Sequence, residues 1–169
     1  MLNLADILRD GAILSVLASI ILMGTLWLRP RLFLQDYPKE IRAVVPPKTE
    51  EEKRLSLMVG IPFLLVLIGF PFGSTLILQT QSPSEVPFWA LFLNSFGIVF
   101  IFNVVDWLVL DWLIVCTITP KFLVLPGTQG HPSYKPSYKN YAVHFRGFLI
   151  GTVFSALAAL VIAVIALIF

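Results

Sequence analysis

The stretch GFLIGTVFSALAALVIAVIALIF (residues 147–169) runs for twenty-three residues without a charged side chain. A helix rises 1.5 Å per residue, so about 20 such residues cross about 30 Å of hydrocarbon. A strand of a membrane barrel would alternate polar and apolar residues, and this stretch does not. Working outward, residues 11–28, 55–84 and 86–105 are equally free of charge. The expected fold is an all-α, integral membrane four-transmembrane-helix bundle. It forms a single transmembrane domain over residues 1–169, with spans at about 11–28, 55–78, 86–110 and 147–169. Composition agrees: 57% of residues are hydrophobic, only 13% are charged, and the mean hydropathy is +0.87. A soluble domain carries about 25% charged residues to keep its surface wet. A soluble enzyme, a nucleic-acid reader and a secreted disulfide scaffold are thereby excluded. The lone Cys116 has no partner for an internal disulfide.

Charge placement orients the spans. The loop over 29–54 carries Arg29, Arg31, Lys39, Arg42, Lys48, Lys53 and Arg54. The loop over 113–146 carries Lys121, Lys135, Lys139 and Arg146, which leaves Arg9 as the single cation on the other side. The positive-inside rule then predicts a multi-pass protein of the cell (inner) membrane, with both loops cytoplasmic and both termini outside. Trp27 and Trp89 fall at the levels where spans leave the bilayer, as interfacial tryptophans do. Arg29-Pro30-Arg31 ends the first stretch with no small-residue cleavage site after it, so a retained span is expected rather than a removed leader.

Local signals refine the helices. Thr49-Glu50-Glu51-Glu52 reads as a capping box opening the second span, and Ser82-Pro83-Ser84-Glu85 as another opening the third. Counted from Pro83, the third helix stays apolar to about Thr119. It is too long for the hydrocarbon, so it must tilt, break or protrude. In the second span Gly69, Pro71 and Gly73 predict a kink or break. Its functional reading is a discontinuous helix lining a site; its plainer reading is a structural kink. Gly147, Gly151, Ser155, Ala159 and Ala163 recur every four residues, as do Gly11, Ser15 and Ser19. Such GxxxG-like stripes let helix backbones approach closely. Packing within the chain is the expected use, and a homodimer seam the alternative. The first loop, with mixed charges and four prolines, reads as a solvated connector with a short helical piece. Pro132-Ser133-Tyr134-Lys135 and its copy Pro136-Ser137-Tyr138-Lys139 read as an extended, polyproline-like segment.

The candidate polar or ion site is Asn103, Asp106, Asp111, His144 and Arg146. Ionisable groups in membrane helices are costly and so attract functional suspicion. Asp106 falls just inside the expected inner boundary, and Asp111 among headgroups. The plain expectation is an ion-pair cluster, a carboxylate facing Arg146, that fixes the inner helix ends. The sharper one is a proton or cation pathway in which Asp106 exchanges its charge. Asp106, Asp111, His131 and His144 lack the paired spacing of a metal site, and no cofactor is expected. No serine or threonine stands in a nucleophile's context, and Cys116 among apolar neighbours is expected to be inert.

The segment 126–151 (PGTQGHPSYKPSYKNYAVHFRGFLIG), the preceding DWLVLDW (106–112) and LRPRLFLQDYPK (28–39) resemble a group of uncharacterised small four-span bacterial membrane proteins. The resemblance implies no activity. Three functions are therefore expected, in this order. The first is a non-enzymatic assembly partner or accessory subunit of a membrane complex. The second is a small ion- or proton-linked transporter or channel with a carboxylate site at the cytoplasmic end of the third helix. The last is an enzyme acting on lipid or quinone. The partners would be the lipid bilayer, further copies of the chain or other membrane subunits, and not nucleic acid.

Overall fold

The computed structural model describes residues 2–135 and 138–169, and these are all-helical, with no strand among them. Four helices are long and apolar enough to cross a membrane. They are α1 (Leu4–Leu28), α3 (Glu50–Gln81), α4 (Phe88–Val105), which continues in wider winding over Asp106–Ile118, and α5 (Tyr138–Ala166). A short α2 (Lys39–Val44) lies in the first loop.

The interior is organised around α4, which packs against α1, α3 and α5. Its crossing with α1 is reciprocal. A Cβ on Gly11 would stand 2.6 Å from the Ile101 side chain, and one on Gly97 would stand 2.6 Å from Ile7. Each isoleucine thus fills the space its facing glycine leaves, which only a residue without a side chain permits. Along α4, Phe88, Phe92, Phe96 and Phe100 stack at four-residue spacing, and Phe100 reaches Phe148 of α5. Leu57, Leu65, Ile77, Ile150 and Val161 instead point outward. In a bilayer such a surface meets lipid tails, with no cost in exposed apolar area.

The box at Thr49 forms as expected. Glu52 N donates to Thr49 Oγ1 at 3.1 Å, and Thr49 N donates to Glu52 Oε2 at 2.9 Å. The box expected at Ser82 does not form. Ser82 closes α3 by donating to Leu78 O at 2.7 Å, and α4 starts only at Phe88, after Pro87. A helix begun at Pro83 would place Pro87 in its interior, where it removes a hydrogen bond and crowds the preceding turn. The second span runs unbroken through Pro62 and Pro71, with Pro71 fully buried and open space beside Gly69 and Gly73.

The loops over 29–49 and 119–135 lie at one end of the bundle, here the loop end. Neither is a loose connector. Three-ten turns over Pro30–Asp36, Lys121–Leu123 and Pro132–Tyr134, with α2, fold the two loops onto each other. Leu34, Ile41 and Leu125 are buried together, flanked by Tyr37, Val45 and Tyr134. The extended segment expected around residue 132 is instead a turn. Its start is fixed by His131, whose Nδ1 accepts from Ser133 N at 3.2 Å, and Gly130 before it takes a φ of +76°. The second copy of the repeat begins at Pro136 and Ser137, outside the described residues.

Candidate functional site

The chemistry of the loop end follows from how the third span is wound. In an α-helix, five residues advance about 500°, which leaves positions i and i+5 about 140° apart. From Asp106 onward the backbone bonds i to i+5, and Thr119 N still donates to Ile114 O at 2.9 Å. In that winding, residues five apart fall on one face, much closer in phase than in an α-helix. Asp106, Asp111 and Cys116 therefore form one row, and all three line the same cavity. Trp107, Trp112 and Thr117 form the neighbouring row against α5. The two indoles touch at 4.8 Å between centroids, Trp112 Nε1 donates to Tyr141 O at 3.3 Å, and the Thr117 hydroxyl lies 2.9 Å from that of Tyr141. Thus α5 holds the tryptophan row and the carboxylate row turns inward.

The cavity has a volume of about 420 Å³. Leu22, Met23 and Leu26 of α1, with Leu110 and Val115, give it apolar walls, and Asp36, Tyr37 and His144 add polar groups. His144 Nδ1 lies 2.9 Å from Asp111 Oδ2, and the Cys116 thiol is beside the same imidazole. Asp106 has no hydrogen-bond or ion-pair partner among the described residues, and its nearest charges are Asp111, His144 and Asp36.

The two loops make the roof. Tyr37 donates its hydroxyl to Leu123 O at 2.8 Å and meets Tyr134 edge to face. Tyr134 in turn accepts from Leu125 N at 3.1 Å. Arg31 anchors the roof to α3 through a forked contact, Nε to Glu52 Oε1 at 2.5 Å and Nη2 to Glu52 Oε2 at 3.1 Å. That hydrogen bond raises the Arg31 guanidinium above its ordinary range. Lys48 Nζ donates to Leu32 O, Gln35 Oε1 and Ser56 Oγ, and burial lowers its ammonium against the pull of Asp36 and Glu52. Asp36 keeps contact with solvent but is ringed by protein atoms. That surround pushes its carboxyl above the usual range; the charge of Asp111 adds to the push, while Lys48, His144 and Arg42 oppose it. The Tyr37 phenol is raised mainly by burial.

The five residues singled out in the sequence separate. Asp106, Asp111 and His144 come together. Asn103 lies outside the cavity, donating from Nδ2 to Phe148 O at 3.0 Å and to Thr152 Oγ1 at 3.1 Å across the α4–α5 seam. Arg146 is exposed on α5 and makes no ion pair among the described residues, so the partner of Asp111 is His144 and not Arg146. Two residues in helical phase with His144 would be 140 and 148, and position 146 falls on another face of α5. In the small-residue stripe Ser155, Ala159 and Ala163 are buried, Gly151 lies directly against the Asn103 amide, and Gly147 faces open space.

A second polar group escaped the sequence reading. Ser74 Oγ donates to Asp10 Oδ2 at 2.7 Å, Asn94 Nδ2 donates to Ser74 Oγ at 3.3 Å and Thr75 Oγ1 at 3.1 Å, and the Thr75 and Ser95 hydroxyls are 2.8 Å apart. This chain ties α1, α3 and α4 together in the half of the bundle away from the loops. Its signal was the set of polar residues inside charge-free spans, each needing a partner in an apolar medium. Between it and the cavity lies an apolar layer of Leu14, Ala18, Leu67, Ile98, Val99 and Phe102.

Among the described residues no three His, Cys, Asp or Glu side chains come together in a way that could hold a metal ion. The arrangement can hold or exchange one positive charge at Asp106, beside a carboxylate already paired with imidazole, under a folded roof. No family model, no curated protein and no solved structure matches this chain.

Proposed function

We propose that this protein is a small ion- or proton-linked membrane transporter component, with its carboxylate site at the inner end of the third span. The loop end faces the cytoplasm in this reading, and both termini lie outside. The observation that carries it is Asp106: a carboxylate without a partner among the described residues, turned by the wide winding into a largely apolar cavity. A charge held this way is costly unless it is exchanged for a proton or matched by a cation. The concentration of Lys and Arg in the two loops supports the orientation. The apolar layer of Leu14, Ala18, Leu67, Ile98, Val99 and Phe102 beyond the cavity supports a carrier over an open channel.

The test is proton flux in proteoliposomes that enclose a pH-sensitive dye. Asp106→Asn is nearly isosteric, and it is expected to lower the protein-dependent flux about tenfold or more, equivalent to about 1.4 kcal/mol in the barrier. Flux equal to that of the unaltered protein would remove the proposal.

A second reading, a non-enzymatic accessory subunit, is favoured by α3. Its span is the least buried of the four and turns Leu57, Met58, Ile61, Leu64 and Leu65 outward. A neighbouring subunit or a second copy would cover this face. Single cysteines placed on it should then crosslink in native membranes, and failure to crosslink at any of the five positions would leave the face to lipid. The small-residue contacts of α5 support packing inside the chain rather than a dimer seam through that helix.

A further inference from the structure

The inference concerns the ligand of this same cavity and rests on its reading as a transport site. We infer that the cavity binds a lipophilic organic ammonium ion, with the charged head on Asp106 and the apolar body along Leu22, Met23, Leu26 and Leu110.

Three observations select this class. The first is the pairing of charges around the cavity. Asp111 is committed to His144 at 2.9 Å. Asp36 shares its surroundings with Lys48 and Arg42. Asp106 has no such partner, so the charge missing from the cavity is positive.

The second is the chemistry of the walls. Calcium takes six to eight oxygens, and magnesium demands near-octahedral oxygen coordination. Asp106 instead shares a largely apolar cavity with Leu22, Met23, Leu26 and Leu110, and no three candidate ligands converge among the described residues. Such walls gain from burying carbon, about 25 cal/mol for each Å² removed from water. Phe33 and Tyr37 also line the cavity. Aromatic faces of this kind attract ammonium heads.

The third is size. A volume of about 420 Å³ lies within the usual range for small-molecule sites. The lining cations Lys39 and Arg42 sit exposed on α2, on the loop side of the cavity. They would draw an anion to the mouth, but inside it would lie against the carboxylates of Asp106 and Asp111, so an anion is the opposite outcome of the test.

The experiment uses the full chain in lipid nanodiscs and three probes of one shape: radiolabelled 4-phenylbutylamine, 4-phenylbutanol and 4-phenylbutanoate. The amine is expected to bind saturably, the alcohol about tenfold or more weakly than the amine, and the acid not to compete. Asp106→Asn should weaken the amine about tenfold and leave the alcohol within about twofold, while Leu110→Trp, which fills the apolar wall, should weaken both. Equal affinity for amine and alcohol, preference for the acid, or an Asp106→Asn protein that holds the amine normally would each overturn the inference. Should that variant not fold, the amine-to-alcohol ratio of the unaltered protein decides alone. The two readings fail separately. Asp106-dependent proton flux with no preference for the amine would remove the ligand class and keep the transport reading. Asp106-dependent amine binding with unchanged flux would keep the ligand and remove transport.

Discussion

At Gly151 the seam between α4 and α5 leaves no room for a side chain: the place of a Cβ is taken by the Asn103 amide. That amide holds Phe148 O and the Thr152 hydroxyl, so displacing it would strand polar groups inside the bundle. Gly151→Ala is expected to destabilise the fold by about 1–3 kcal/mol in denaturant titrations, the usual cost of overpacking. Gly147→Ala on the same stripe meets open space and should fall within about 0.5 kcal/mol of the parent. Equal losses at the two sites would show that the cost does not come from this contact, since alanine by itself favours a helix over glycine. The sequence already marked both Asn103 and Gly151, but each for a different reason. Their meeting was not legible, because it depends on the relative phase of two helices separated by the 32 residues from 106 to 137.

Among the elements, the wide winding after Val105 decides the site. It stacks Asp106, Asp111 and Cys116 where an ideal α-helix would fan them around its axis. The clue was on the page of sequence: Asp106-Trp107-Leu108-Val109-Leu110 is followed by Asp111-Trp112-Leu113-Ile114-Val115, a five-residue echo. With a 3.6-residue period those aspartates diverge, and depth along the bundle alone points a carboxylate toward Arg146. The observed pair joins this segment to α5 through Asp111 and His144. Alanine at both positions should therefore be less destabilising than the sum of the single changes, with a coupling of about 0.5–3 kcal/mol. Arg146→Ala should be near neutral and additive with Asp111→Ala. Additivity between Asp111 and His144 would mean that their contact contributes nothing to the fold. The roof was equally hidden: Leu34, Ile41 and Leu125 are apolar residues scattered in loops, and only their burial with Tyr37 and Tyr134 reveals them as a small core.

For the whole molecule, four spans and their order were readable because apolar length and charge placement are local properties of the chain. Which spans touch was not, since helices in lipid are sorted by side-chain shape rather than by hydrophobicity. The proposed orientation makes a direct prediction. A single cysteine introduced at Gln81, the last residue of α3, should react with a membrane-impermeant thiol reagent added to intact cells. One at Gln129, in the roof, should react only after permeabilisation. The reverse pattern would invert the map and place Asp106 at the outer surface.

Six side chains, Leu14, Ala18, Leu67, Ile98, Val99 and Phe102, stand between the Asp10 network and the cavity that Asp106 lines. Electrically they form a low-dielectric barrier with polar groups on either side. Moving one elementary charge through a full 100 mV drop involves about 2.3 kcal/mol. In the proposed transport reading, a cation released from Asp106 toward the Asp10 network would have to cross this barrier, which makes it the step on which an energised membrane would act.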